Sequence, residues 1–397
     1  MRPVTAWPQG PSELAVIPAG TAFTADDIVF YADQENRTLD EALQEATLIV
    51  SCPHSGSAVP EEVARHLVPE YTRRLQFDFT DLSTAPIVRA WATADRNVVY
   101  VENPHPRIVR DPNRAKPADV KATLREAFAR VRAAGPLQRA DLSGVDAIRP
   151  VTFSFYPLVK EPESEEDFDA MLEDFEAAGT LGVDVYEDTR RGLIARWREL
   201  HAGDGLRLTT LSFHDTMNTT TRPDGAVVVE RAPADRLPNV VALSNRGTAL
   251  GEPRVDAPGD GVTMDPARLR AVAGGFRAAF GQAFGAVPED VALNTPYLGS
   301  QEIIEARDLN GGAVDALQAE FLREFLMGPE AVGVLHSPGG DWPSTDLDRA
   351  QRIAAACAAA WGGYTKGYLP NGPEAPGAAA GPDGRPVRSG GSQLVLA

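Results

Sequence analysis

From Leu48 onward, short apolar runs alternate with amphipathic stretches, and no other feature restricts the fold as much. LIVSC precedes PEEVARHL, APIVRAWATA precedes NVVYVE, LRLTTLSF and VVAL follow, ARLRAVAGGFRAAFG leads into VALN, and ALQAEFLREFLM closes the series. Runs of four to eight apolar residues bounded by Gly, Pro and Ser read as buried strands, and longer 3.6-period stretches read as helices. Their alternation predicts an α/β chain, a three-layer α/β/α sandwich around a mostly parallel or mixed sheet. In such sheets ligands bind beyond the carboxyl ends of the strands, so the residues that follow each apolar run are the place to look for chemistry.

The ends of the chain read differently. Residues 1–44 look like an accessory segment, with TLDEALQEA as a short helix capped by Thr38 and Glu41. A single catalytic domain is expected over 45–365, with an acidic helical insert at about 145–185. Within that insert Phe168, Met171, Leu172 and Phe175 fall at helical spacing, which predicts a solvated helix laid on the core. Residues 366–397 are rich in Pro and Gly and are expected to be a mobile tail.

Charge and cysteine content narrow the function. The 397 residues carry 56 acidic against 38 basic groups, a formal charge of −18, which argues against nucleic acid or an anionic membrane as partner. Cys52 and Cys357 lie far apart and give neither a disulfide framework nor a zinc-ribbon spacing. With no signal-peptide pattern at the start and no apolar run long enough to span a bilayer, the expectation is a soluble cytoplasmic protein.

Two of the six histidines end strand-like runs: His54 after LIVSCP, and His214 in LSFHD. Both fit one edge of a sheet, facing one cleft. Catalytic zinc takes three protein ligands and leaves one position for water, so a carboxylate is wanted beside them. Asp78 and Asp81 in QFDFTDLS are the candidates, and Asp81 fits equally as a ligand or as a helix N-cap. A general base is also needed, and Glu320 lies where an apolar run gives way to a helix; the bland alternative is a solvated first-turn glutamate. In NPHPRIVRDPNR, Arg107, Asp111, Asn113 and Arg114 form a polar segment suited to holding a substrate carboxylate, or Arg107 and Asp111 pair to stiffen the loop. Cys52 with His54 as a thiol hydrolase is disfavoured, because proline separates them and no helix N-terminus lowers the thiol pKa.

PHSGSAVP, FTDLS, RIVRDPNR, LSFHD, NTPYLGS and ALQAEF occur in the order of the signature segments of the N-formylglutamate amidohydrolase family, which this chain resembles over roughly 48–328. The resemblance implies a zinc-dependent exopeptidase-like fold and Zn2+, or another divalent metal, held by His54, Asp81 and His214. It also implies Glu320 as base and acid. Arg107, Asp111, Asn113 and Arg114 match the family's arginine-rich segment and are expected to bind substrate, as are Arg190 in DVYEDTRRGLIARW and Arg246 in VVALSNRGTALG. Two departures stand out: DVYEDTRRGLIARW lacks the histidine of a Pro-Tyr-His type motif, and Asn239 replaces a common aspartate. The implied activity is hydrolysis of an N-formyl or N-acyl amino acid, a small carboxylate-bearing amide. The alternatives are a zinc peptidase or cell-wall-peptide amidase, and an inactive amino-acid-binding module of the same fold. Asp215, beside His214, is either a ligand-orienting residue or an ordinary turn residue.

Overall fold

Seven strands of the computed structural model, which describes residues 13–257 and 259–368, hydrogen-bond into one central sheet. In chain order they are β1 (Val29–Tyr31), β2 (Leu48–Cys52), β3 (Val98–Glu102), β4 (Leu208–Thr216), β5 (Val241–Ser244), β6 (Val291–Leu293) and β7 (Val314–Leu322). Across the sheet the order is β6-β5-β7-β4-β2-β3-β1. The four central strands β7, β4, β2 and β3 run parallel, β5 and β6 run against them, and β1 closes the far edge antiparallel to β3. The mixed α/β architecture expected from the alternating pattern is therefore present. Residues before 45, expected to be accessory, supply the edge strand β1 and a helix.

Helices cover both faces. They are α1 (Leu39–Glu45), α2 (Thr84–Ala94), α3 (Glu165–Leu181), α4 (Val183–Leu200), α5 (Pro266–Phe284), α6 (Gln301–Leu309) and α7 (Leu347–Tyr368). Because strand side chains alternate, Leu48, Val50 and Cys52 join the core under α2, α5 and α7, and Ile49 joins the core under α1, α4 and α6. The first core is rich in aromatic rings: Phe276 lies 5.7 Å from Phe280 and 6.3 Å from Phe321, which stacks on Phe213 at 4.6 Å.

Local sequence fixes the helix ends. Thr38 and Glu41 form the expected capping box at α1. Ser164 accepts from the Asp167 N–H at 3.1 Å, and three acidic residues fill the first turn of α3, where the helix dipole favours them. Asp265 caps α5 ahead of Pro266, and Gly285 ends it at φ 72°, a conformation glycine adopts without steric cost. The last residues described, to Tyr368, continue α7; the rest of the expected tail lies outside the described residues.

A third core forms a cap over the carboxyl ends of the central strands. It joins Val59, Val63, Leu75 and Phe79 to Ile108, Val109, Leu158 and the α3 residues Phe168, Met171, Leu172 and Phe175. The acidic stretch thus buries its apolar stripe in the cap. Gly56 brings this layer close: a Cβ there would lie 2.4 Å from the Pro104 backbone, so the loops after β2 and β3 can touch only because position 56 has no side chain. None of the helices described is long and apolar enough to cross a membrane.

Phe276 is almost fully buried, so Phe276→Ala is expected to lower unfolding free energy by about 3–5 kcal/mol. Urea denaturation checks this, and a loss below about 1 kcal/mol would show that α5 is not locked to the sheet by that ring.

Candidate active site

His54 follows β2 by two residues, and His214 is the seventh residue of the neighbouring strand β4. Asp81 lies in the turn before α2, where its backbone N–H donates to the His54 carbonyl at 3.0 Å. It does not cap that helix: Ser83 is the N-cap residue, and the Asp81 carboxylate turns toward the two imidazoles.

The resulting distances are close to equal. His54 Nδ1 lies 3.2 Å from His214 Nδ1, and each lies 3.3 Å from Asp81 Oδ2. The three side chains are buried and are grouped as a set able to hold a metal ion. Tetrahedral zinc with bonds of roughly 2.0–2.1 Å places its ligand atoms about 3.3–3.4 Å apart, so these residues fit such a cation. Asp78, the other candidate, accepts from Thr221 Oγ1 at 3.0 Å and is not in the group.

The outer ring nitrogens set the tautomers. His54 Nε2–H donates to Asp111 Oδ1 at 2.7 Å, which leaves Nδ1 a bare acceptor. His214 Nε2–H donates to Ser212 Oγ at 2.8 Å, and that hydroxyl donates to Glu302 Oε2 at 2.5 Å. With both rings neutral, the inner nitrogens therefore present lone pairs to the same point. Where a proton takes the place of a cation, burial alone would raise the Asp81 carboxyl, but the charge and hydrogen bonds of His54 and His214 outweigh it and hold the group far below the usual carboxylate range. Burial likewise works against Asp111, yet Arg107 and His54 keep it ionised, well below its ordinary value.

A cleft of about 410 Å3 opens onto the trio. Glu320 enters it from β7, where it pairs in register with His214. It is a buried strand residue, not the first-turn helix glutamate of the alternative reading. Thr216 Oγ1 donates to its Oε1 at 2.6 Å and Gln318 Nε2 to its Oε2 at 2.9 Å. Two donors on one carboxylate fix its plane beside the cleft.

The remaining expected residues separate. Arg107, Asn113 and Arg114 line the cleft. Asp111 does not line it and instead holds His54 and Arg107. Arg190 and Arg246 do not line it either. Arg190 is a buried partner of Glu302 and Glu305, and Arg246 is pinned to the Gly299 carbonyl at 2.9 Å and to Asp260 at 2.6 Å. Asp215 pairs with Arg323 and accepts from the Ser83 N–H at 3.2 Å, and its own N–H donates to Asp81 Oδ2 at 3.3 Å. Cys52 is wholly buried, which pushes its thiol well up and removes it as a nucleophile.

Sequence reasoning missed Gln318, Thr216, Arg231, Tyr297 and Glu302. Gln318 and Thr216 alternate with Glu320 and His214 on one face of β7 and β4, a period-2 pattern visible once those segments are taken as strands. Nothing local marks Arg231 or Glu302, and Tyr297 lies in the signature segment NTPYLGS without having been singled out.

The N-formylglutamate amidohydrolase family profile matches residues 46–327. The chain belongs to the N-formylglutamate amidohydrolase family. Among solved structures it is similar to an N-formylglutamate amidohydrolase from Ralstonia eutropha JMP134, at 16% identity over 85% of this chain and 96% of that one, with a TM-score of 0.45. It is also similar to a gene product of Agrobacterium tumefaciens, at 11% identity over 85% and 98%, with a TM-score of 0.46. No curated protein matches.

Glu302 is the buried carboxylate on which Ser51, Ser212, Tyr186 and Arg190 converge. Glu302→Ala is expected to destabilise the protein by about 3–5 kcal/mol by stranding these partners. Chemical denaturation checks this, and a change within about 0.5 kcal/mol would show that water replaces the carboxylate without cost.

Proposed function

We propose that the protein is a metal-dependent amidohydrolase that cleaves the amide bond of an N-formyl or N-acyl amino acid. The observation that carries the reading is the near-equilateral set of three ligand atoms from His54, Asp81 and His214, buried in the lining of a cleft that Glu320 also lines. Family membership supports the amidohydrolase class, and the donor set supports a divalent cation, zinc foremost, because imidazole nitrogen and carboxylate oxygen suit it. Bound there, the cation would polarise the amide carbonyl and acidify water.

The chain's own residues supply the rest. Asp111 and the Ser212–Glu302 pair hold the imidazoles in the tautomers that leave Nδ1 available. Glu320, oriented by Thr216 and Gln318, takes the proton from the attacking water and returns it to the leaving nitrogen. The products are a small acid and a free amino acid. Three arginines, Arg107, Arg114 and Arg231, line the cleft in a protein of net charge −18, which favours an anionic substrate over a neutral amide. A cytoplasmic setting accords with two buried free cysteines.

Glu320→Gln keeps the shape and the two hydrogen-bond partners' neighbours while removing the base. Turnover of N-formyl amino acids is expected to fall by about 10²–10⁴-fold, with zinc affinity by chelator competition little changed; parent-like turnover would remove Glu320 from the base role. Dialysis against chelator is expected to abolish activity and zinc to restore it. Zinc should raise the melting temperature of the parent and of Glu320→Gln, by mass action, but not that of His54→Ala. A shift retained in His54→Ala would place the ion elsewhere.

A further inference from the structure

Three arginines line the cleft, and their charges are not equally available. Arg107 is engaged by Asp111, has Nη1 3.9 Å from Asp81, and is packed by the rings of Phe79 and Phe153 at 5.5 and 4.7 Å. Arg114 donates from Nε to Asp146 at 2.7 Å, and from Nη1 to the Asn113 carbonyl at 3.0 Å and Ser300 Oγ at 3.3 Å. Both guanidiniums are occupied by the protein's own carboxylates.

Arg231 is different. Among the described residues no carboxylate forms an ion pair with it, and its one side-chain hydrogen bond, from Nη1 to the Tyr297 hydroxyl, is long at 3.5 Å. Its Nε is buried and has no partner; Arg107 Nε shares that state, but the outer nitrogens of Arg107 are met by Asp111 and Asp81 and those of Arg231 by no carboxylate among the described residues. Asp78, in the small side cavity that Arg231 also borders, is turned to Thr221. The backbone holds Arg231 in place: its N–H donates to the Asn218 carbonyl at 2.9 Å and its carbonyl accepts from Arg236 Nε at 2.7 Å. It therefore sits fixed at the base of the hairpin formed by Thr219–Thr221 and Val227–Glu230.

A buried donor without an acceptor costs free energy that a ligand can recover. Nε and the outer amino group form one edge of the guanidinium, the fork that takes both oxygens of a carboxylate. We propose that Arg231, with Tyr297 beside it, is the specificity-determining clamp for a carboxylate of the amide substrate. The unpartnered Nε–Nη2 edge of Arg231 recognises that anion, while Arg107 and Arg114 shape and charge the wall. This deepens the amidohydrolase reading and rests on it for the substrate class.

The test compares zinc-loaded parent, Arg231→Ala and Arg231→Lys on N-formylglutamate and on its α-carboxamide and side-chain carboxamide, with calorimetric binding of L-glutamate in parallel. The parent is expected to prefer the free dicarboxylate over one of the two carboxamides by about 100-fold or more in kcat/KM. In Arg231→Ala that ratio should collapse to below about 10, mostly through KM. Arg231→Lys should recover part of it, having the charge without the fork. An unchanged ratio in both variants overturns the clamp. If the parent hydrolyses none of the three, the amidohydrolase reading fails and calorimetry decides the clamp alone. Glutamate binding that is lost in Arg231→Ala supports it; binding equal in parent and variant, or absent from the parent, overturns it. Should Arg231→Ala not fold, Arg231→Lys carries the same comparison.

Discussion

Two imidazole nitrogens and a carboxylate oxygen, all within 3.3 Å of one another, repel unless a proton or a cation lies between them. The rest of the structure serves that arrangement. The parallel strands β2 and β4 lie side by side, so the histidines at their ends arrive together, and the backbone bond from Asp81 to His54 ties the third group to the same point. A cation at the convergence would turn a buried repulsion into the strongest local attraction in the chain.

Each histidine is held from a different layer. His54 leans on Asp111, which the cap provides and Arg107 neutralises; His214 leans on Ser212 and, through it, on Glu302 from α6. Both chains of contact end in a carboxylate whose charge is met by an arginine, Arg107 on one side and Arg190 on the other. Arg190, which looked like a substrate residue, thus works at a distance by keeping a buried carboxylate ionised. Burial disfavours Glu302 in its charged form, and Arg190, Ser212 and Tyr186 bring its carboxyl below the ordinary value.

Much of this was legible in the chain. The apolar runs gave the strands, and the position of His54 and His214 after or late in two such runs put them at one sheet edge, because parallel strands end together. Choosing Asp81 over Asp78 needed the family resemblance, since a turn aspartate before a helix is equally good as a cap; the structure distinguishes them because Ser83 takes the cap position. Glu320 was placed where an apolar run gives way to a helix, and it lies near the end of the strand Val314–Leu322, just ahead of the short helix Arg323–Met327; burial on both faces makes that run a central strand. Arg231 and Glu302 were invisible, and Tyr297 was covered by a signature segment but given no role. Each matters through neighbours 50 or more residues away in sequence, such as Tyr297 beside Arg231 at a separation of 66.

The central claim is that the three acceptor atoms share one cation. Crystals grown with zinc and measured on both sides of its absorption edge test it most directly. The account predicts a single strong anomalous peak bounded by His54 Nδ1, Asp81 Oδ2 and His214 Nδ1. A zinc-loaded protein with no peak there, or with the two imidazoles turned apart, would contradict it.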